Sequence, residues 1–256
     1  MTATGMIVAN LATYPPRRDG MLDVVRALAP QVDRLNIVLN EYTEIPSELA
    51  SISNSAPVIP TENTVDVGKF YVRPDPGSLV LYVDDDIYPG PDFVARTVER
   101  FRALGPGKWL GGYHGSLYQQ PSLRKPLAFL KYSRRRIANY RQVWATDHGL
   151  AQAIVVDQIA TNSAIIRGED APPYDFMRDS RKFVDVRLAR WCHERGITPV
   201  CLPREAGWLK IGRYGAESIH NSFTSRHHGH VADEIWSYAF KVKGRGEAPT
   251  VGDVAE

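Results

Sequence analysis

Residues 79–89 (LVLYVDDDIYP) constrain the chain more than any other stretch. The apolar run 79–83 predicts a buried strand. It ends abruptly in Asp84, Asp85 and Asp86, after which Pro89-Gly90-Pro91 turns the chain and residues 92–104 read as a helix. Three adjacent carboxylates at the end of a buried strand repel one another, and keeping them ionised there is costly unless a cation neutralises them. Two readings follow: the strand runs into an exposed acidic turn, or the carboxylates hold a divalent cation through hard oxygen ligands.

The order of the remaining elements bears on that choice. Residues 6–12 predict a strand, broken by Thr13-Tyr14-Pro15-Pro16-Arg17. Asp19 is placed to cap a helix in which Met21, Leu22, Val25, Leu28 and Ala29 recur at helical spacing. Residues 35–39 predict the next strand, and strand–helix–strand at this spacing implies a parallel sheet. A short helix is expected at 45–53, a third strand at 56–59 and a polar loop at 61–68. Further strands are expected at 109–113, 140–145, 152–156, 163–166 and 198–202. The strands at 140–145 and 152–156 flank the turn at 146–149, and 116–138 reads as irregular. A helix capped by Asp179 or Ser180 is expected over 181–195, ended by Gly196, and another at 231–240. This predicts an α/β fold with a central, mostly parallel sheet flanked by helices and a mixed second half. Residues 1–245 read as one domain, with halves at about 1–110 and 111–245, and 246–256 as a disordered tail. The acidic triplet then sits at the carboxyl end of a sheet strand, where open α/β sheets bind ligands, which favours the binding reading.

At 256 residues the chain can bury a substantial core. The two cysteines, Cys192 and Cys201, form neither a disulfide framework nor a metal-spaced cluster, so buried thiols in a reducing cytoplasm are expected. The N-terminus carries no basic segment followed by an apolar one, so no signal peptide is expected. No apolar run approaches the roughly 18 residues that span a bilayer. Net charge is only +2, but its distribution is uneven: between Glu99 and Asp147 there are ten Lys or Arg and no Asp or Glu.

The segment 81–89 resembles the Asp-x-Asp segment of GT-A fold glycosyltransferases, and is especially similar to bacterial family-2-like enzymes acting on cell-surface glycans. Other stretches agree in order. Residues 8–17 resemble the first strand and its nucleotide-facing loop, and 66–71 a segment before the Asp-x-Asp strand. Residues 112–115 resemble the strand after it, and 183–189 the segment carrying the catalytic acid. The likeness runs from about residue 6 to about residue 210.

The resemblance implies a GT-A-like (Rossmann-like) fold and a metal-dependent transferase using Mn²⁺ or Mg²⁺. Its donor is a nucleotide-diphosphate sugar, UDP-sugar favoured, and its acceptor a glycan or lipid-linked molecule. It also implies site roles. Asp86 is the main metal ligand, Asp84 faces the ribose or the metal, and Asp85 lies between them. Thr13, Tyr14, Pro15 and Arg17 line the nucleotide pocket, Asp66 and Lys69 contact base and phosphates, and a late histidine, His220, completes the metal shell. Asp185 is the general base of an inverting transfer. It sits in a helical pattern and has a structural alternative as partner of Arg181 or Arg187, and Asp157 and Asp175 are rivals for its role. Thr161-Asn162-Ser163-Ala164 stands where the family carries Gly-Thr-Gly, which leaves the acceptor and sugar pocket open.

Arg204 offers a charge for the diphosphate and Trp208 a face for a sugar, although such a tryptophan is more often core. His114 reads equally as a cleft residue or a structural histidine. His227, His228 and His230 read as a polar loop rather than a zinc site. The basic block 124–141, interleaved with aromatics, suits an anionic membrane surface or acidic acceptor ahead of nucleic acid. The expected location is cytoplasmic, with peripheral contact at the inner membrane face. Two alternatives stand beside the transferase. One is a sugar nucleotidyltransferase, disfavoured because 13–17 holds no glycine. The other is a non-catalytic module binding anionic glycan or nucleic acid through 124–141.

Overall fold

The computed structural model describes residues 5–120, 134–212 and 228–250. In chain order the elements are β1 (Ile7–Thr13), α1 (Arg18–Leu28), β2 (Arg34–Leu39), α2 (Ser47–Ala50), β3 (Ser55–Val58), β4 (Leu79–Asp84), β5 (Ile87–Tyr88), α3 (Phe93–Arg102), β6 (Trp109–Gly112) and β7 (Gly115–Tyr118). They continue with β8 (Arg141–Trp144), β9 (Ile154–Val155), β10 (Gln158–Ile159), β11 (Ser163–Arg167), α4 (Tyr174–Met177), α5 (Val184–Arg195), β12 (Thr198–Cys201), β13 (Lys210–Ile211) and α6 (Gly229–Tyr238). Short 3-10 turns include Pro15–Arg17, Val65–Phe70 and Arg134–Asn139.

Eight strands form the central sheet in the order β3-β2-β1-β4-β11-β6-β12-β9. β3, β2, β1 and β4 are mutually parallel, as are β6 and β12, while β11 runs antiparallel between β4 and β6. This is the mostly parallel, helix-flanked α/β sheet that the sequence predicts. The apolar run of β4 is continuous because both its faces are covered. Leu81 and Val83 pack with Leu11, Met21, Val25 and Phe101 on one side. Val80 and Tyr82 pack with Ile166, Val184, Leu188 and Trp191 on the other. A third apolar cluster joins α5 to α6 through Val186, Ala189, Ile235 and Tyr238.

Several local expectations change. β8 and β9 do not form a hairpin: β8 pairs with β7 in a three-stranded sheet, and β9 pairs with β12 at the edge of the large one. The stretch read as irregular from residue 116 begins in β7, and residues 121–133 lie outside the described ones. Asp19 does not cap α1. The helix opens one residue earlier, leaving Asp19 in its first turn, where a negative charge faces the positive end of the helix dipole. Nor do Asp179 or Ser180 cap α5. Ser180 Oγ donates instead to Met177 O (2.6 Å), and α5 opens at Val184, which brings Asp185 into its first turn. Gly196 ends α5 in the left-handed region (φ 64°), as expected.

Residues 246 and 247, expected in a disordered tail, exchange backbone hydrogen bonds with Val155. Residues 251–256 lie outside the described ones. Among the described residues no helix is long and apolar enough to cross a membrane.

Candidate active site

The register of the sheet brings the site together. Ala12 of β1 stands opposite Asp84 of β4, so Thr13 and Asp85 leave the sheet side by side. Thr13 Oγ1 donates to Asp85 Oδ2 (2.7 Å), and Arg17 Nη1 donates to Asp85 Oδ1 (2.6 Å) and reaches Asp86 Oδ2 at 3.4 Å. Because β11 runs antiparallel, it is its beginning that meets the end of β4. Asp84 N donates to Asn162 O (3.0 Å), which sets Thr161 beside the carboxylates.

Lys69 reaches the same place from the 65–70 turn. Its side chain is almost fully buried and forms an ion pair with Asp84. Its Nζ also donates to Thr161 Oγ1 (3.2 Å). Thr161 in turn donates to Asp185 Oδ1 twice, from its backbone N–H (2.8 Å) and its hydroxyl (2.9 Å). Asp185 therefore has one oxygen pinned. Its Oδ2 makes no hydrogen bond among the described residues, and Asp185 lines the cleft with the rest of the group. The Lys69 backbone is held by a buried polar ladder, in which Asn36 Nδ2 donates to Asn10 Oδ1 (2.8 Å) and Asn10 Nδ2 to Lys69 O (2.9 Å).

Electrostatics follow from burial and pairing. Burial works against the charges of Lys69 and Arg17, but Asp84 and Asp85 outweigh it and hold both cations above their ordinary pKa. Burial pushes Asp85 up, with Arg17 and Thr13 opposing. Asp86 is raised to about 6, by burial first and then by the Asp84 charge. Asp66 is also raised to about 6, by burial, although Lys182 N donates to its Oδ1 (2.8 Å). Burial lowers His114, which shares a contact with Thr146 Oγ1 (3.4 Å) and faces the Asp185 charge.

Three acids at the end of a buried strand call for a compensating cation. The chain supplies part of that charge itself: Lys69 for Asp84 and Arg17 for Asp85. Asp86 is the least compensated. Among the described residues no three metal-ligating side chains converge. That argues against an all-protein cage, but a hard divalent ion held by one or two carboxylates and completed by phosphate oxygens needs none. The pair Asp84 and Asp86 fits that mode. His220 lies outside the described residues.

These groups line one cleft of about 700 Å³. Thr13, Tyr14, Arg17, Asp66, Lys69 and His114 line it, as do Asp84, Asp85, Asp86 and Asp185. Pro15 is exposed on the 15–17 turn and does not. Arg204 is elsewhere: its buried guanidinium is spent on Ala145 O, Leu202 O and Cys201 Sγ. Trp208 packs on Phe93 and Tyr113 with Arg100 over its ring, in the core role. Asp157 is fully buried and bound by Arg245, and Asp175 is exposed on α4. Neither rival of Asp185 lines the cleft.

Sequence reasoning missed Asn40, Glu41, Asn63 and Val65, which form the wall beyond β2. Asn40 Oδ1 accepts from Thr64 N (2.7 Å) and Oγ1 (2.6 Å), and Asn40 Nδ2 donates to Val65 O (3.0 Å). The available signal was Asn40 directly after a strand, the same placement that marked Asp84. Glu41, Val65 and Lys182 all line the cleft with φ of 61°, 52° and 72°. Such backbone is costly for non-glycine residues and gathers at functional sites.

The chain matches no protein-family model and none of the curated proteins. Among solved structures, one described as the crystal structure of a mycobacterial protein superposes with a TM-score of 0.48 at 16% identity, over 85% of this chain and 70% of that one. The crystal structure of S. aureus TarS superposes with a TM-score of 0.46 at 12% identity, over 81% of this chain and 37% of TarS. This chain therefore spans little more than a third of TarS. Likeness at this level carries no functional argument, and the reading of the site rests on its own geometry.

Proposed function

We propose that the chain is a metal-assisted glycosyltransferase. It moves a sugar from a nucleotide-diphosphate donor, UDP-sugar favoured, to a glycan or lipid-linked acceptor, with inversion. One observation carries the reading: a single cleft is lined by the strand-end pair Asp84 and Asp86 and by Asp185, whose Oδ1 is held by two donors from Thr161. Thr13, Tyr14 and Arg17 line the donor end. The floor there is acidic, so a diphosphate needs a cation between itself and the carboxylates. Asp84 and Asp86 would hold Mn²⁺ or Mg²⁺, which when bound neutralises charge on the leaving diphosphate.

Asp185 Oδ2 accepts the proton of the acceptor hydroxyl as that oxygen bonds to the anomeric carbon, and the bond from that carbon to the diphosphate oxygen breaks. Thr161 holds the carboxylate in place through Oδ1. Burial lowers the pKa of His114 and so disfavours a competing positive charge near Asp185.

The test is slow donor hydrolysis with Mn²⁺ and a panel of UDP-, GDP- and CMP-sugars, followed by nucleotide release. One class of donor is expected to turn over, with Asp86→Ala and Asp185→Ala each reducing release at least ~100-fold. If no donor binds or turns over, and Asp86→Ala changes nothing, the reading fails.

A further inference from the structure

The cleft changes character along its length. Asp84, Asp85, Asp86, Asp66 and Glu41 all lie on the side built from β1, β2, β4 and the 65–70 turn, and Asp185 stands at the boundary. Beyond Asp185 the wall comes from β7, β8, β10, the 134–139 turn, α5 and α6. Its apolar part is Val186, Val231, Ala232 and Ile235. Among the described residues this half contributes no carboxylate to the cleft. It contributes Arg135 and Arg141, and neither pairs with an Asp or Glu among the described residues.

Gln158 adds a third polar group. It is 5% exposed, and its Oε1 accepts from both the Tyr118 and Tyr238 hydroxyls (2.7 Å each). Gln158 lines the cleft, and with its oxygen so engaged its amide N–H groups are its remaining hydrogen-bonding end. Two guanidinium groups and an amide donor over an apolar wall are complementary to an anion carried next to a hydrocarbon surface.

We infer that this half of the cleft is a subsite for an anionic amphiphile, a molecule carrying a phosphate or carboxylate beside an apolar moiety. That it serves as the acceptor subsite rests on the transferase reading; the binding itself does not. The placement puts the anion at Arg135, Arg141 and Gln158, the apolar part on α6, and leaves a hydroxyl within the region governed by Asp185. It also assigns a role to Arg135 and Arg141, the arginines of the basic block that line the cleft among the described residues.

The test is calorimetric titration of the full chain with hexyl phosphate and hexyl glucuronide. Hexyl glucoside serves as the neutral control, and glycerol phosphate as the anion without an apolar chain. At least one anionic amphiphile is expected to bind saturably, ~10-fold or more tightly than both controls. The tighter of the two identifies phosphate or carboxylate as the recognised group. Arg141→Gln should weaken that binding ~10-fold while leaving hexyl glucoside unchanged.

Arg141 also hydrogen-bonds the Tyr118 side chain, so Arg135→Gln provides a second, exposed variant with the same expected direction. Val231→Asp, which sets a carboxylate in the subsite, should abolish anion binding. Equal binding of the neutral and anionic amphiphiles overturns the inference, as does indifference to both arginine substitutions or no binding at all. Donor hydrolysis run in parallel separates the two claims. Turnover without amphiphile binding sinks the subsite alone, and amphiphile binding without turnover sinks the transferase alone.

Discussion

At the residue scale, Thr161 decides how Asp185 can act. A carboxylate free to rotate offers either oxygen to solvent; one fixed by two donors on Oδ1 presents Oδ2 in a defined direction. Hydrogen bonds to charged groups contribute about 1.5–3 kcal/mol. If that energy is spent on orientation, Thr161→Ala should lower the rate of transfer or donor hydrolysis about 10-fold or more, with little change in KM for the donor. Thr161→Ser keeps the hydroxyl and should restore most of the rate. Loss in Ala without recovery in Ser would assign Thr161 a packing role instead.

Asp66 makes a different prediction. Its pKa is raised from 3.8 to about 6, so the folded chain binds a proton more readily than the unfolded chain between those values. Its ionised form opposes folding above pH 6, and that cost is relieved as pH falls from 6 towards 4. Asn keeps the acceptor for Lys182 N–H and deletes the charge. Asp66→Asn should therefore melt higher than wild type at pH 8, and the difference should shrink to nothing near pH 4. Thermal melts across that range check the sign.

At the element scale, the strands were legible and the turns between them were not. β1, β2, β4 and α3 follow from runs of apolar residues whose period matches a sheet covered on both faces or a helix covered on one. Asp84, Asp85 and Asp86 follow from the same pattern, because the place where an apolar run stops is visible in sequence. The 65–70 turn reads as a polar loop because it has no period. Its position depends on Asn10 and Asn36, two polar residues inside apolar strands whose meaning appears only once β1 and β2 are paired. β10 and α4 are too short to leave a pattern. The strands read on either side of the 146–149 turn exist, but their partners lie far away in sequence, β7 for β8 and β12 for β9, which local pattern does not show.

The 65–70 turn nonetheless carries Lys69 and Asp66, and Gly68 sets how closely it approaches the sheet. A Cβ there would lie 2.6 Å from Thr64 Oγ1 and 3.0 Å from both Ala12 Cβ and Val38 Cγ1. Gly68→Ala should push the turn off β1, at a cost of about 1–3 kcal/mol. It should also weaken donor binding, because Lys69 loses its seat beside Asp84 and Thr161. Chemical denaturation and nucleotide titration measure the two effects. Stability lost with donor binding intact would uncouple the turn from the site.

At the scale of the whole molecule, the chain after α6 closes the far side of the cleft wall. Asp157 is fully buried, and its carboxylate accepts from Tyr118 N (2.8 Å), Phe240 N (3.2 Å), Arg245 Nε (3.0 Å) and Arg245 Nη2 (2.6 Å). Arg245 also donates to Tyr118 O, and Gly246 and Glu247 bond to Val155. Two sheets and the final segment thus meet at one carboxylate, and Tyr118, which lines the cleft, is held from both sides of its peptide. Removing Arg245 leaves Asp157 buried with its charge uncompensated, which costs about 3–5 kcal/mol where one member of such a pair is deleted. Arg245→Met should therefore destabilise the chain by about that amount in urea unfolding. Asp157→Asn in the Arg245→Met background should recover part of the loss, because an amide there no longer needs a cation. A double variant no more stable than Arg245→Met alone would mean that Arg245 acts through its guanidinium contact with the Phe240 ring and its bond to Tyr118 O rather than through the Asp157 charge. A chain ending before Arg245 should behave as Arg245→Met does, losing in addition the backbone bonds to Val155.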